Sequence, residues 1–187
     1  MQLERLQIRD LLLVLPTKHV DQRGFFSETF RVDSFAQKGV KLAFVQENHV
    51  YSAQKGVLRG LHFQLAPRAQ GKLVRCTRGA IFDVAVDIRD GSPTYGQHVG
   101  RLLSATNWHQ LWVPPGFAHG YLTLESDCEV IYKVTDYYAP DCDRGIAWDD
   151  PALEIDWRLS ASEVILSEKD RRQPRLEDVA PAFQFGR

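Results

Sequence analysis

Apolar and polar residues alternate with a period of two along most of this chain, the mark of strands that bury one face. Between residues 81 and 88, Phe82, Val84, Val86 and Ile88 fall on one side and Asp83, Ala85 and Asp87 on the other. Leu111-Trp112-Val113 is apolar on both sides and stops at Pro114-Pro115-Gly116, a strong turn signal. Residues 128–138 are rich in β-branched and aromatic side chains and read as a further strand. The 13 Gly and 9 Pro are spread over the whole length and punctuate it into short segments, which favours many strands joined by turns. Helical signal is sparse. Residues 33–39 read as a short capped helix ending at Gly39, and Ser167-Glu168-Lys169-Asp170 has capping-box spacing before Pro174. The prediction is an all-β sandwich or barrel with a few short helices and an interior able to hold a ligand.

Within that frame, polar residues interrupt apolar strands in a telling way. Alternation separates Arg59, Leu61 and Phe63 from Gly60, His62 and Gln64. Lys72, Val74 and Cys76 share a face, as do His119, Tyr121 and Thr123, and as do Cys128, Val130, Tyr132 and Val134. Should these faces line one cavity, His62, Lys72, His119 and Tyr132 converge. A histidine titrates near neutrality and takes a proton from a carbon that a carbonyl has acidified. A lysine stabilises the enolate oxygen that develops, and a tyrosine delivers a proton from the other side. A carboxylate behind the histidine fixes its tautomer. Each residue also has a structural reading: His62 as a strand residue, Tyr132 as packing, Lys72 as an edge residue, Asp170 as a cap and Arg23-Gly24 as a turn.

Composition narrows the classes. With 187 residues the chain suits one domain spanning 1–187. Its 23 Lys+Arg against 24 Asp+Glu give a formal charge of -1, against a broad nucleic-acid or anionic-membrane surface. Three cysteines, Cys76, Cys128 and Cys142, are too few and scattered for a disulfide framework. No signal pattern opens the chain and no apolar run approaches the roughly 18 residues of a membrane span, so a cytoplasmic location is expected. Neither a G-x-S-x-G elbow nor a glycine-rich phosphate loop is present.

Ordered motifs then mark a family. They run from Asp21-Gln-Arg-Gly-Phe-Phe-Ser-Glu28 through Phe44-Val-Gln-Glu-Asn48, Val57-Leu-Arg-Gly-Leu-His-Phe-Gln64 and Gln70-Gly-Lys-Leu-Val-Arg75. Further on come Gly79-Ala-Ile-Phe-Asp-Val-Ala-Val-Asp87 and Gln110-Leu-Trp-Val-Pro-Pro-Gly-Phe-Ala-His-Gly120, then Tyr132-Lys-Val-Thr-Asp-Tyr-Tyr-Ala-Pro140 and Leu166-Ser-Glu-Lys-Asp170. Through them the sequence resembles the dTDP-4-dehydrorhamnose 3,5-epimerases. The resemblance implies a cupin-type jelly roll acting as a homodimer that exchanges N-terminal strands. It implies inversion of C3 and C5 of dTDP-4-dehydro-6-deoxy-D-glucose, with His62 as base, Asp170 as its partner, Tyr132 as acid and Lys72 beside the C4 oxygen.

By the same resemblance, Arg23, Phe26, Glu28, Gln46, Glu47, Asn48, Arg59, His119, Asp143 and Lys169 are nucleotide-sugar-binding positions, and Tyr138 stacks on thymine. Residues of the N-terminal segment serve the neighbouring subunit's site. Two positions depart from the family pattern: Glu47 stands where Asp is frequent, and Asp143, one methylene shorter, where Glu is usual. Neither a cofactor nor a metal is expected. The metal-binding His-x-His of cupins would fall at His62-Phe63-Gln64, where Gln replaces the second His. Two other readings remain: an epimerase acting at C3 alone, and a non-catalytic sugar-nucleotide-binding jelly roll.

Overall fold

The computed structural model describes residues 1–41 and 43–186. Its first strands are β1 (Gln2–Arg5), β2 (Leu12–Leu15), β3 (His19–Asp21), β4 (Gly24–Phe26) and β5 (Gln46–Ser52). Next come β6 (Leu58–Gln64), β7 (Lys72–Arg78), β8 (Ala80–Asp87), β9 (Arg89–Asp90) and β10 (His98–Ser104). The last are β11 (Gln110–Val113), β12 (Phe117–Thr123), β13 (Cys128–Val134), β14 (Asp143–Gly145) and β15 (Phe183–Gln184). A six-stranded sheet runs β1-β2-β11-β7-β13-β5 and a five-stranded sheet runs β10-β8-β12-β6-β14. Val74, Cys76, Leu111 and Val130 of the first sheet pack against Ile81, Ala85, Val99, Phe117 and Tyr121 of the second. The result is a jelly-roll sandwich, the all-β class that the alternation and turn spacing predict.

A second core lies on the outer face of the five-stranded sheet. Phe82, Val84, Val86 and Ile88 pack there against Leu153, Trp157 and Leu176 of the C-terminal third. Every residue of β8 is consequently buried, although only one of its faces is apolar. The face carrying Asp83 looks into the sandwich, whose interior is therefore partly polar. Burying large side chains such as Trp157 and Leu176 is worth roughly 1.5–3 kcal/mol each, enough to hold a segment with little regular structure of its own. Asp150 ties that segment further, with Oδ1 accepting the Ala152 N–H at 3.0 Å and Oδ2 the Leu176 N–H at 2.7 Å.

The helical expectations change in detail. The one α-helix among the described residues, α1 (Val32–Ala36), is shorter than the segment 33–39 and has no side-chain cap. Asp33, the first residue of that segment, lies in the first turn and pairs with Arg31 at 2.7 Å. Gly39 does end the turn, at φ +79°. β13 stops at Val134, short of the aromatic Tyr137 and Tyr138 that follow.

Candidate active site

Between the two sheets lies a cavity of about 620 Å³. It is lined by His62, Lys72, His119 and Tyr132, the four whose convergence rested on the face pattern. Gln46, Asn48, Arg59, Tyr138, Asp143, Lys169 and Asp170 line it too.

The wall on the five-stranded sheet depends on an irregularity in β6. In the pairing of β12 with β6, His119 faces His62 and Tyr121 faces Arg59, so three residues of β6 span two of β12. This bulge turns Arg59 onto the same face as His62, whereas strict alternation placed them on opposite faces. Gly60 makes it possible. Its φ is +135°, and a Cβ there would lie 2.5 Å from the Gly120 Cα. Leu61 and Phe63 drop into the outer core, while Gln64 stays with the cavity.

His62 and Asp170 are 108 residues apart and meet because residue 165 is zipped to the start of β6. The Leu58 N–H donates to the Ile165 carbonyl at 2.9 Å and the Ile165 N–H to that of Gly56 at 2.8 Å. Beyond this bridge the chain turns at Ser167 and brings Asp170 to His62 Nε2, 2.6 Å from Oδ1. Ser167 Oγ donates to Asp170 Oδ2 at 2.8 Å and accepts the Asp170 N–H at 3.1 Å. The carboxylate thus divides its oxygens between Ser167 and His62, at the start of a single 3₁₀ turn, Asp170–Arg172, whose N-cap is Lys169 with no side-chain cap. Burial pushes the Asp170 carboxyl up, but the hydrogen bond from His62, with Ser167 and Lys169, outweighs it and holds the group below the usual carboxylate range. With Nε2–H donating to this carboxylate, the other ring nitrogen, Nδ1, carries the lone pair.

Across the cavity, β13 presents Tyr132 on the face predicted for it. Burial raises its phenol above the ordinary value, Arg59 opposing and Asp143 adding to the rise. Lys72, at the start of β7, donates from Nζ to the His62 carbonyl at 3.2 Å. Burial pulls its ammonium down to about 8, against the attraction of Asp143 and Asp83. A lysine so poised remains a cation at neutral pH yet polarises a nearby oxygen strongly.

The remaining candidates divide. Gln46 and Asn48 share a face of β5 and bond to each other at 2.9 Å. Asp143 accepts from the Tyr138 hydroxyl at 3.1 Å and ion-pairs with Lys169. Glu47 falls on the opposite face of β5, ion-paired with Lys133, and does not line the cavity. Strand alternation excludes it, since its neighbours point inward. Arg23, Phe26 and Glu28 also lie away from the cavity of this chain, Arg23 and Phe26 in or beside the exposed β3–β4 hairpin and Glu28 just after it.

Several residues with roles here escaped sequence reasoning. Asp83 chelates His119 Nε2 with both oxygens at 3.0 Å, and the only hint was a charge on the inner face of a buried strand. Ser167 was legible only as a cap. Gln64 spends its amide on the Arg68 carbonyl at 2.6 Å and the Ala139 N–H at 2.8 Å, fixing the segment that carries Tyr138. Among the described residues, no group of three or more His, Cys, Asp or Glu could hold a metal ion.

Known proteins resemble this chain in sequence and in fold. The family model described as dTDP-4-dehydrorhamnose 3,5-epimerase matches residues 5–178. A dTDP-4-dehydrorhamnose 3,5-epimerase of Sinorhizobium fredii is 53% identical over 185 residues, 99% of this chain and 94% of that protein. Among solved structures, the dTDP-6-deoxy-D-glucose-3,5-epimerase of Legionella pneumophila, in complex with dTDP-4-keto-L-rhamnose, superposes with a TM-score of 0.94. It is 43% identical, over 100% of this chain and 99% of that one. A 3'-monoepimerase of Streptomyces bikiniensis, in complex with dTDP-quinovose, is more distant, at 33% identity and a TM-score of 0.85 over 92% of this chain and 87% of that one. By sequence over nearly its whole length and by fold, this chain belongs to the dTDP-4-dehydrorhamnose 3,5-epimerase family.

Proposed function

We propose that this chain inverts C3 and C5 of dTDP-4-dehydro-6-deoxy-D-glucose to give dTDP-4-dehydro-L-rhamnose, with His62 as general base and Tyr132 as general acid. One observation carries the reading: the His62–Asp170 pair and Tyr132 stand on facing sheets of one cavity, so a flat sugar ring between them meets a base on one face and an acid on the other. The C4 ketone acidifies the hydrogens at C3 and C5. His62 Nδ1 removes one of these protons, the C–H electrons move onto the C4 oxygen, and the Lys72 ammonium holds that enolate. Tyr132 then protonates the carbon from the opposite face, breaking its O–H bond as the new C–H bond forms. His62 and Tyr132 return to their starting states by proton exchange with solvent, and the cycle repeats at the second carbon. Asp170 holds the imidazole in its tautomer and stabilises the imidazolium formed.

The chain acts as a homodimer in this reading. The β3–β4 hairpin is exposed throughout, with Val20 and Phe26 76% and 72% exposed, a cost that a partner subunit would relieve. The binding roles assigned to Arg23, Phe26 and Glu28 then belong to the neighbouring cavity. Mass measured by light scattering at a dimer's value supports this; a monomer active at the same concentration would overturn it.

Incubation with the 4-keto sugar in deuterated water tests the chemistry. Deuterium at both C3 and C5 is expected. Retention of hydrogen at both sinks the reading, and exchange at C3 alone assigns the chain to the monoepimerases.

A further inference from the structure

The chain between β13 and a 3₁₀ turn at Pro140–Cys142 carries Tyr138 to the cavity with no strand to hold it, since residues 135–139 belong to no sheet. Tyr138 lines the cavity yet is 56% exposed, which places its ring at the opening. Irregular segments at a surface are ordinarily mobile. This one is fixed by glutamine side chains. Gln64, 4% exposed at the end of β6, donates from Nε2 to the Tyr137 carbonyl at 3.2 Å and to the Arg68 carbonyl at 2.6 Å. Its Oε1 accepts the Ala139 N–H at 2.8 Å. The carbonyl before Tyr138 and the N–H after it are the pair that a neighbouring antiparallel strand would engage, so one side-chain amide stands in for a ladder. Two further amides complete the frame: Gln46 Oε1 accepts the Tyr138 N–H at 3.2 Å, and Gln70 Nε2 donates to the Asp136 carbonyl at 2.8 Å. At the other end of the ring, the Tyr138 hydroxyl donates to Asp143, the register partner of Gln64 on β14.

We infer that Gln64 is a positioning residue for the nucleotide end of the substrate: by bracketing Tyr138 it keeps that ring at the cavity opening as a platform on which a planar base stacks. On the reading of the substrate as a dTDP-sugar, on which this rests, thymine is that planar group. A ring on a free loop would give up its freedom each time a ligand bound, whereas a ring fixed in advance has lost it on folding. Gln64 also lies two residues from His62 on β6, so the strand that holds the base sets the distance from the reacting carbons to the ring. The proton transfers at C3 and C5 use neither the amide nor the ring, and the effect of Gln64 therefore falls on binding.

Gln64→Met, close in volume but without the amide, is expected to weaken binding of dTDP in calorimetry and to raise KM. Each should change by about two- to tenfold, the usual cost of ordering one side chain on binding, with kcat unchanged. Inhibition by inorganic pyrophosphate, which has no base to stack, should stay the same. In a Tyr138→Ala background there is no ring to hold, so adding Gln64→Met should change dTDP affinity no further. Unaltered dTDP affinity in the single variant overturns the inference, as does an additive loss in the double variant. Equal weakening of dTDP and pyrophosphate would make Gln64 a general prop of the cavity and overturn it too, and a fall in kcat alone would tie it to His62 instead. Should Gln64→Met not fold, Gln64→Asn, which keeps an amide one methylene too short to span both groups, carries the same expectations. A Tyr138→Ala variant that binds dTDP as tightly as the unmodified chain would defeat the stacking role of Tyr138 itself.

Discussion

Two histidine–carboxylate pairs sit side by side on the five-stranded sheet, since His62 and His119 are register partners. His119 and Asp83 are sealed, with side chains 7% and 0% exposed, and the ring nitrogen is shared between two oxygens at 3.0 Å. His62 keeps 27% of its side chain open, meets one carboxylate oxygen at 2.6 Å, and has that carboxylate steadied from behind by Ser167. The same two residue types therefore serve different ends. A buried, symmetric contact braces a wall, with one ring N–H shared between both oxygens of a fully buried carboxylate. A single bond to a ring half open to the cavity orients the imidazole and leaves its second nitrogen for a ligand. Pairing by itself does not separate the two histidines; asymmetry and access do.

The difference can be broken experimentally. Replacement of the two histidines gives the largest contrast. His62→Asn should slow exchange at both carbons by about 10²–10⁴-fold, the usual worth of a general base, with the circular dichroism spectrum unchanged. His119→Asn should leave kcat within about tenfold and raise KM; equal loss of kcat in both variants would erase the distinction.

Replacement of the two carboxylates should invert the order between activity and stability. Asp170→Asn presents the wrong partner to the imidazole and is expected to cost kcat about 10²-fold or more with little change in stability. Asp83→Asn leaves a buried ring nitrogen or amide unsatisfied, so urea unfolding should show a loss of about 1–3 kcal/mol while kcat changes less.

The smallest effect is in pH dependence, read at the lysine that lines the cavity with both histidines. Lys72, lowered by burial to about 8, is an ammonium below that pH, so kcat should fall as pH rises through about 8. The linkage has a definite sign. The folded value lies below the ordinary lysine value of 10.5, so between about 8 and 10.5 the unfolded chain binds the additional proton and stability rises with pH across that window. Lys72→Met should lack this rise in denaturation measured across the window. A parallel rise in both proteins would place its origin elsewhere.

Much of this arrangement was legible in the residues. Alternation separated the two faces of β8 and grouped Tyr132 with Val130 on β13, but it did not reveal that the Asp83 face of β8, rather than its apolar face, looks into the sandwich. It failed in β6, where one extra residue at Gly60 and Leu61 reverses the parity between Arg59 and His62, and no polarity pattern records a bulge. It also failed to exclude Glu47, although the period of two that brings Gln46 and Asn48 inward points the residue between them outward, toward Lys133. The capping box expected at Ser167 does not form, since the 3₁₀ turn there has Lys169 as its N-cap, with no side-chain cap; Ser167 instead holds one oxygen of Asp170 while the other meets His62.

By itself the sequence determined the strands, the turn positions and, through ordered motifs, the family, because each of these is set within a few residues of chain. Only the tertiary structure set the half-open histidine, His62, apart from the sealed one, His119. That outcome depends on Ile165 being bonded to the start of β6, on a bulge that a glycine permits, and on a C-terminal layer that buries the outer face of β8 and leaves Asp83 turned inward. Such contacts join residues as far apart as His62 and Asp170, and burial and distance, which separate the two pairs, exist only once the chain has closed on itself.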